Sequence, residues 1–404
     1  MKRVRIMLEN SVTVRMLMLN FIVIFFLSCE KESLSTDPTA VDRMEEADLK
    51  ANKNLYSETF EFSAPVYDIA AAPDGSILVA VNQGDDRIIQ QIKNGSLRTM
   101  VEFQTATAIQ GIAPIGAGNA FVTTGGTDLA EHGELYRVSN GKARMVADLG
   151  AYEFENDPDA YSGIQWKDQL CEAIDGFSAG PQNNPFKVAA LSGSTALIAD
   201  AAGNTLLSAT TTGDIDWVAI FTPPVDENGD YILRWDAGDE SQSIPCFVQP
   251  VPTSVAIGPD GYIYVGELTG TLAVEDGLVP IGLSRVWKIP ADANKVVCEV
   301  GSGPCQLLID GLTSVIDLAI GPDGLLYVVE FDENSWWSSF YPPLPPAGGT
   351  ISVYELDGTL VKVVASSLSF PSAITFDKNG NLWLLENNYI GLPGYPPTVR
   401  MLEY

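Results

Sequence analysis

Three glutamates stand six residues after a turn glycine: Glu267 after Gly261, Glu330 after Gly324 and Glu386 after Gly380. Asp200 falls seven residues after Gly193, while Val81 and Thr124 hold the corresponding place after Gly75 and Gly118. Asp68 and Asp317 lie at the start of the apolar run that precedes their own turn, and Ser254 and Lys187 occupy like positions. Carboxylates are hard oxygen donors that suit Ca²⁺ or Mg²⁺ rather than zinc. Gathered in a partly dehydrated place, they repel one another unless they are paired, protonated or metal-bound. The spacing therefore predicts a divalent-cation site drawn from Asp68, Asp200, Glu267, Asp317, Glu330 and Glu386. The alternatives are that these acids bond neighbouring backbone amides, face water, or meet a cationic ligand.

The segments that follow these acids carry aromatic and proline residues in unusual density: LTGTLAVEDGLVPIG, FDENSWWSSFYPPLPPAGG and NNYIGLPGYPPT. Trp336, Trp337, Phe340, Tyr341, Tyr389 and Tyr395 would surround the acidic residues, either as a contact surface for a protein, glycan or small ligand or as lids over the loops' own small cores. Other chemistries are thinly supplied. His132 is the only histidine, which removes most Ser-His, Cys-His and multi-histidine metal chemistry. The run Asp226-Glu227-Asn228-Gly229-Asp230 lacks the spaced ligands of a calcium loop and reads as a solvated turn. A formal charge of -29 repels phosphate backbones, so no nucleic acid is expected as a partner.

A recurring unit must position these residues: an apolar β run, a tight turn and a second apolar β run. It reads VYDIAAAPDGSILVAV at 66, IQGIAPIGAGNAFVTT at 109, FKVAALSGSTALIAD at 186, TSVAIGPDGYIYVGE at 253, IDLAIGPDGLLYVVE at 316 and SAITFDKNGNLWLLE at 372. A second hairpin follows most units, and Asn94-Gly95, Asn140-Gly141 and Asp357-Gly358 suit type I′ turns. Apolar residues follow period 2 or short continuous runs, so no amphipathic helix is expected after residue 55. The fold class is all-β: a six-bladed β-propeller of four-stranded antiparallel meanders. The last unit has one strand too few, PTVRMLEY, and Tyr56 to Phe62 is expected to close the ring as the outermost strand of the last blade.

The N-terminus reads as an address. Lys2, Arg3, Arg5 and Arg15 precede the apolar run Met16 to Leu27, which ends in Ser28-Cys29; at 12 residues the run is short for a bilayer span. This order resembles a bacterial lipoprotein signal, with residues 1–28 as signal peptide and Cys29 as the lipidated residue. Residues 29–54 are polar and read as a flexible tether, leaving 55–404 as a single domain. The expected location is outside the cytoplasm, lipid-anchored to the outer membrane and facing either the periplasm or the surface, as a monomer. Four further cysteines remain. Six residues separate Cys298 from Cys305, a plausible short loop closure in an oxidising compartment, and Cys171 with Cys246 would pair by elimination.

VPTSVAIGPDGYIYVGELTG at 251, SRVWKI at 284, TSVIDLAIGPDGLLYVVE at 313, DLGAYEFENDPD at 148 and NPFKVAALSGSTALIADAAGNTLL at 184 resemble the ScyD/ScyE family, exported propeller-like proteins akin to the NHL type. The resemblance runs from about residue 64 to the C-terminus. It implies a propeller and an exported location, and supplies no catalytic residues. Two functions are therefore carried forward: a binding module working through a loop-rich acidic and aromatic face, and a divalent-metal-dependent hydrolase or lactonase of gluconolactonase-like type, in which a cation polarises a carbonyl and a carboxylate acts as base.

Overall fold

The computed structural model describes residues 58–84, 86–105, 107–125, 132–162, 181–234, 246–270, 279–339, 344–388 and 395–404. The expectations for Cys29, the signal and the tether lie outside these residues, as do those for Cys171, Tyr341 and Tyr389. Residues Leu55–Tyr404 form one compact unit.

Six antiparallel meanders make up this unit. Blade 1 is β2 (Val66–Ala71), β3 (Ile77–Gln83), β4 (Asp86–Lys93) and β5 (Ser96–Phe103). Blade 2 is β6 (Ala108–Gly116) to β9 (Lys142–Asp148), and blade 3 is β10 (Pro185–Ala190) to β13 (Ile215–Phe221). Blade 4 comprises Pro252–Ile257, Ile263–Glu267, Ser284–Ile289 and Gln306–Leu312. Blade 5 comprises Val315–Ile320, Leu326–Glu330, Gly349–Tyr354 and Leu360–Leu368. Blade 6 comprises Pro371–Phe376, Leu382–Glu386, Thr398–Leu402 and, as its fourth strand, β1 (Thr59–Glu61). Thr59 faces Arg400, Phe60 faces Val399 and Glu61 faces Thr398, so an N-terminal strand closes the ring as expected.

The inner strands touch in the order of the blades, and the first touches the last. A meander buries one face against each neighbour, which is why its second strand is inaccessible along its length: Ile263–Glu267, Leu326–Glu330 and Leu382–Glu386 are buried at every residue. The core accordingly lies between blades. Ile69 and Val79 of blade 1 pack on Trp383 and Leu385 of blade 6, and Val265 of blade 4 packs on Leu197 and Ala199 of blade 3. The repeated turns explain the repeated glycines: Gly75, Gly261, Gly324 and Gly380 all have φ between 80° and 85°, a region open to glycine at little cost.

Four local expectations are corrected. A helix, α1 (Leu149–Asn156), links blade 2 to blade 3, its amides capped by Asp148, which accepts from Ala151 N at 2.9 Å. Eight residues span barely two turns, too short for a 3.6 period to declare itself. Blade 3 gains a fifth strand, Val296–Cys298, which joins β13 in parallel; it is lent by the connection inside blade 4 and stapled by the Cys298–Cys305 disulfide, whose Cα atoms are 5.1 Å apart. Asn94-Gly95 and Asn140-Gly141 have positive φ at both residues, as type I′ requires, but at Asp357-Gly358 only the glycine does. There the Asp357 carboxylate accepts the Thr359 amide at 2.9 Å and shapes a different turn. Finally, Asp200 pairs with Pro185 as Glu267 pairs with Pro252, Glu330 with Val315 and Glu386 with Pro371, so the turns are equally long and the register is shared; Gly193 stands one position earlier in its turn, with Ser194 in the place of Gly261.

Candidate functional site: the linker face

In every blade the second strand ends, and the next blade's inner strand begins, on the same side of the ring. That side carries all the blade-to-blade linkers. It also carries backbone in the left-handed region at non-glycine residues: Val251, Ser314 and Phe370, each immediately before an inner strand, have φ of 58°, 56° and 47°, a conformation that is costly for a β-branched valine.

Two of the expected metal ligands meet, around a lysine. Lys187 on the inner strand of blade 3 forms ion pairs with Asp68 of blade 1 and, at 3.3 Å, with Asp317 of blade 5. All three are nearly buried. The aspartates also hold neighbouring blades: Asp68 accepts from Ile112 N of blade 2 at 2.7 Å, and Asp317 from Ile374 N of blade 6 at 2.8 Å. Burial pushes Asp317 up to about 6 against the pull of Lys187, and Asp68 is raised in the same way. Burial presses the Lys187 ammonium down, but the two aspartates more than reverse it. The ammonium already supplies the cation here, so Asp68 and Asp317 do not fit a divalent ion between them.

The second-strand acids are not brought together as a ligand ring either. Glu267 is fully buried; its oxygens accept from Arg285 Nε and Trp287 Nε1, each at 2.7 Å, and Arg285 continues to the carbonyl of Thr222 at 2.6 Å. Glu386 accepts from Arg400 Nε at 2.6 Å and Ser369 N at 3.2 Å. Arg285 and Arg400 escape the sequence reading as partners because each lies on the third strand of its blade, whereas the repeat already sets Lys187 at the same inner-strand start as Asp68 and Asp317. Glu330 differs. It accepts from Thr313 N at 2.6 Å, no Lys or Arg pairs with it among the described residues, and the third strand of its blade offers Thr350 opposite it. Burial, reinforced by Glu333, pushes Glu330 up to about 7.

Asp200 belongs to a different group. Its Oδ1 accepts from Asn184 N at 2.6 Å and Gly203 N at 3.0 Å, whereas the buried Oδ2 has no hydrogen-bond partner. Beside it are Glu153 of α1 and Asp157 and Asp159 just beyond, whose carboxylate oxygens lie within 4.8 Å of one another. The sequence reading missed these three, although DLGAYEFENDPD contains them all. Burial raises Glu153 and Asp159 well above the usual carboxylate range, and the charge of Asp200 adds to both. Burial raises Asp200 itself to about 6. These oxygens suit a hard divalent cation.

The aromatic loops are partly self-packed. Trp336 and Trp337 stack at 4.8 Å; Trp336 donates from its ring nitrogen to Thr269 O at 3.0 Å and from its amide to Ser314 Oγ at 2.8 Å. Trp336 also rests on the core between blades 5 and 6. Tyr395 is 55% exposed. His132 is half-buried just before the third strand of blade 2. Asp226 holds an exposed turn by accepting from Asn228 N and Asp230 N at 2.8 and 3.0 Å, the solvated turn expected.

No family model and no curated protein matches the chain. Among solved structures it is similar to a structural-genomics protein of unknown function from Bacteroides thetaiotaomicron, with 13% identity, a TM-score of 0.48, and 86% of this chain and 72% of that one covered. It is similar also to a calcium-binding protein, regucalcin, from Agrobacterium tumefaciens, with 11% identity, a TM-score of 0.48 and coverage of 86% and 93%. A gluconolactonase of Xanthomonas campestris shows 11% identity, a TM-score of 0.46 and coverage of 87% and 93%. It is the sheet order and ring closure of this chain itself that make it a six-bladed β-propeller.

Proposed function

We propose that the protein is an exported, lipid-anchored propeller whose linker face performs divalent-cation-assisted hydrolysis of an ester or lactone. The observation that carries this reading is Glu330, a carboxylate 7% exposed, held by one backbone amide and titrating at about 7. A group so placed is half ionised at neutral pH and can take a proton from an attacking water. A divalent cation, when bound, polarises a carbonyl oxygen as a Lewis acid. Such an ion would take its oxygens from carboxylates of the linker face other than Asp68 and Asp317, since Lys187 fills the place between those two. Two proteins of this fold are named a gluconolactonase and a calcium-binding protein, but the reading rests on this chain's own carboxylates.

The stacked Trp336–Trp337 pair and the exposed Tyr395 favour a second reading, a binding module for a glycan, protein or small molecule on the same face. The resemblance to the ScyD/ScyE family accords with either. The full chain in detergent micelles, offered aryl esters and aldonolactones with Ca²⁺, Mg²⁺ or chelator, separates the two. Hydrolysis that rises with pH through about 7 and vanishes in Glu330→Gln supports the hydrolase; turnover no greater than that of the variant refutes it. Labelling of the wild type with palmitate, lost in Cys29→Ala, tests the anchor.

A further inference from the structure

The linker between blades 2 and 3 collects buried negative charge, and among the described residues no Lys or Arg pairs with Glu153 or Asp200. Glu153 is 1% exposed and Asp200 fully buried. Neither oxygen of Glu153, nor Oδ2 of Asp200, has a hydrogen-bond partner among the described residues; the amides of Asn184 and Gly203 serve only Oδ1 of Asp200. A buried carboxylate oxygen without a partner carries the full cost of its lost hydration, and several in one place point to a counter-charge.

The geometry of Gly203 provides a second, independent indication. A methyl group built on its α-carbon would lie 3.2 Å from the Gln182 carbonyl oxygen, 3.3 Å from Glu153 Oε2 and 3.3 Å from the Asp200 carboxyl carbon. Three oxygen-bearing groups from three chain segments thus converge over Gly203, closer than a side chain there would allow. Asp157 and Asp159, within hydrogen-bonding reach of each other, flank Glu153, and Asn204 steadies Asp159 from 3.1 Å.

We propose that Glu153, Asp157, Asp159 and Asp200, with the Gln182 carbonyl beside them, form a Ca²⁺ site that fastens the blade 2–3 linker to blade 3. Calcium accepts six to eight oxygens in adaptable geometry and uses backbone carbonyls readily, whereas magnesium demands a tight octahedron and keeps its waters. The donors here are oxygens alone, most of them anionic and drawn from separate segments, which is the calcium pattern. The proposal deepens the cation half of the hydrolase reading by naming the ion's seat, and it stands whether or not the ion takes part in turnover.

The experiment titrates Ca²⁺ calorimetrically into the chelator-treated full chain and follows thermal unfolding and amide exchange of residues 149–159 with and without the ion. One equivalent bound, a melting temperature that climbs with Ca²⁺ concentration, and slower exchange in this segment are expected. Glu153→Gln and Asp159→Asn should each weaken binding at least tenfold, yet melt in chelator at or above the wild-type temperature, because each removes a buried like charge. Asp200→Asn gives an independent check should either misfold. Absence of calcium binding, or variants that keep the full calcium response, overturns the site. Calcium binding without ester or lactone turnover keeps the site and removes the hydrolase, while turnover without calcium binding does the reverse.

Discussion

Replacing Lys187 with Met removes one ammonium and leaves two buried carboxylates facing each other. Asp68 and Asp317 reach Lys187 from blades on either side of blade 3, and each keeps its bond to the amide of the next blade. Deleting one member of a buried ion pair typically costs about 3–5 kcal/mol, because the survivors stay buried and uncompensated. The cost must depend on pH. Asp317 already titrates at about 6, and without the lysine both aspartates would titrate higher still. A raised native pKa means that the folded state holds protons the unfolded state releases, so this stability is full below the unfolded carboxylate pKa and is lost as pH rises through the folded value. Urea unfolding followed by tryptophan fluorescence should therefore show Lys187→Met destabilised by about 3–5 kcal/mol at pH 8 and by clearly less at pH 5. Adding Asp68→Asn and Asp317→Asn, which keep an oxygen for Ile112 N and Ile374 N, should recover most of the loss. A wild-type midpoint at pH 8, or an equal loss at both pH values, would refute the reasoning.

Two further outcomes follow from the same physics. Glu330→Gln keeps an acceptor for Thr313 N but cannot ionise, so at pH 8 it should be more stable than wild type, by at most about 3 kcal/mol for a shift from 4.5 to about 7, with the advantage gone at pH 4; comparison of urea midpoints at the two pH values reads this. Cys298→Ser with Cys305→Ser should cost about 2–3 kcal/mol by loop-closure entropy. Amide exchange should quicken first in Val296–Cys298 and the facing Ala219–Phe221, and loss confined to the disulfide loop would show that the fifth strand holds without it.

The repeat was legible because a propeller writes its inner strands locally: an apolar run, a glycine that must adopt positive φ, and another apolar run. Ring closure followed from a strand missing at one end and a spare one at the other, and the disulfide from six intervening residues. What stayed hidden depends on residues distant in sequence. Lys187 stands 119 residues from Asp68, and the repeat gives both the same inner-strand position without telling that blades 1, 3 and 5 meet there. Arg285 and Arg400 sit on third strands, where they read as surface residues until the sheet register turns them onto Glu267 and Glu386. The acidic pocket needed a helix too short to show its period, plus a turn whose glycine stands one position earlier than in its counterparts. The two segments that build it, DLGAYEFENDPD and the one ending in DAAGNTLL, were quoted for a resemblance and not for their oxygens.

Blade 6 also orders events in time. Its outer strand is Thr59–Glu61 and the partner of that strand is Thr398–Leu402, so the first strand of the domain to leave the ribosome pairs with the last. Five blades can form their meanders as they are made, but Phe60 must wait, with its edge bare, for about 340 residues to follow. The ring therefore stays open until Thr398–Leu402 is available, and a product truncated anywhere before Thr398 cannot latch at all.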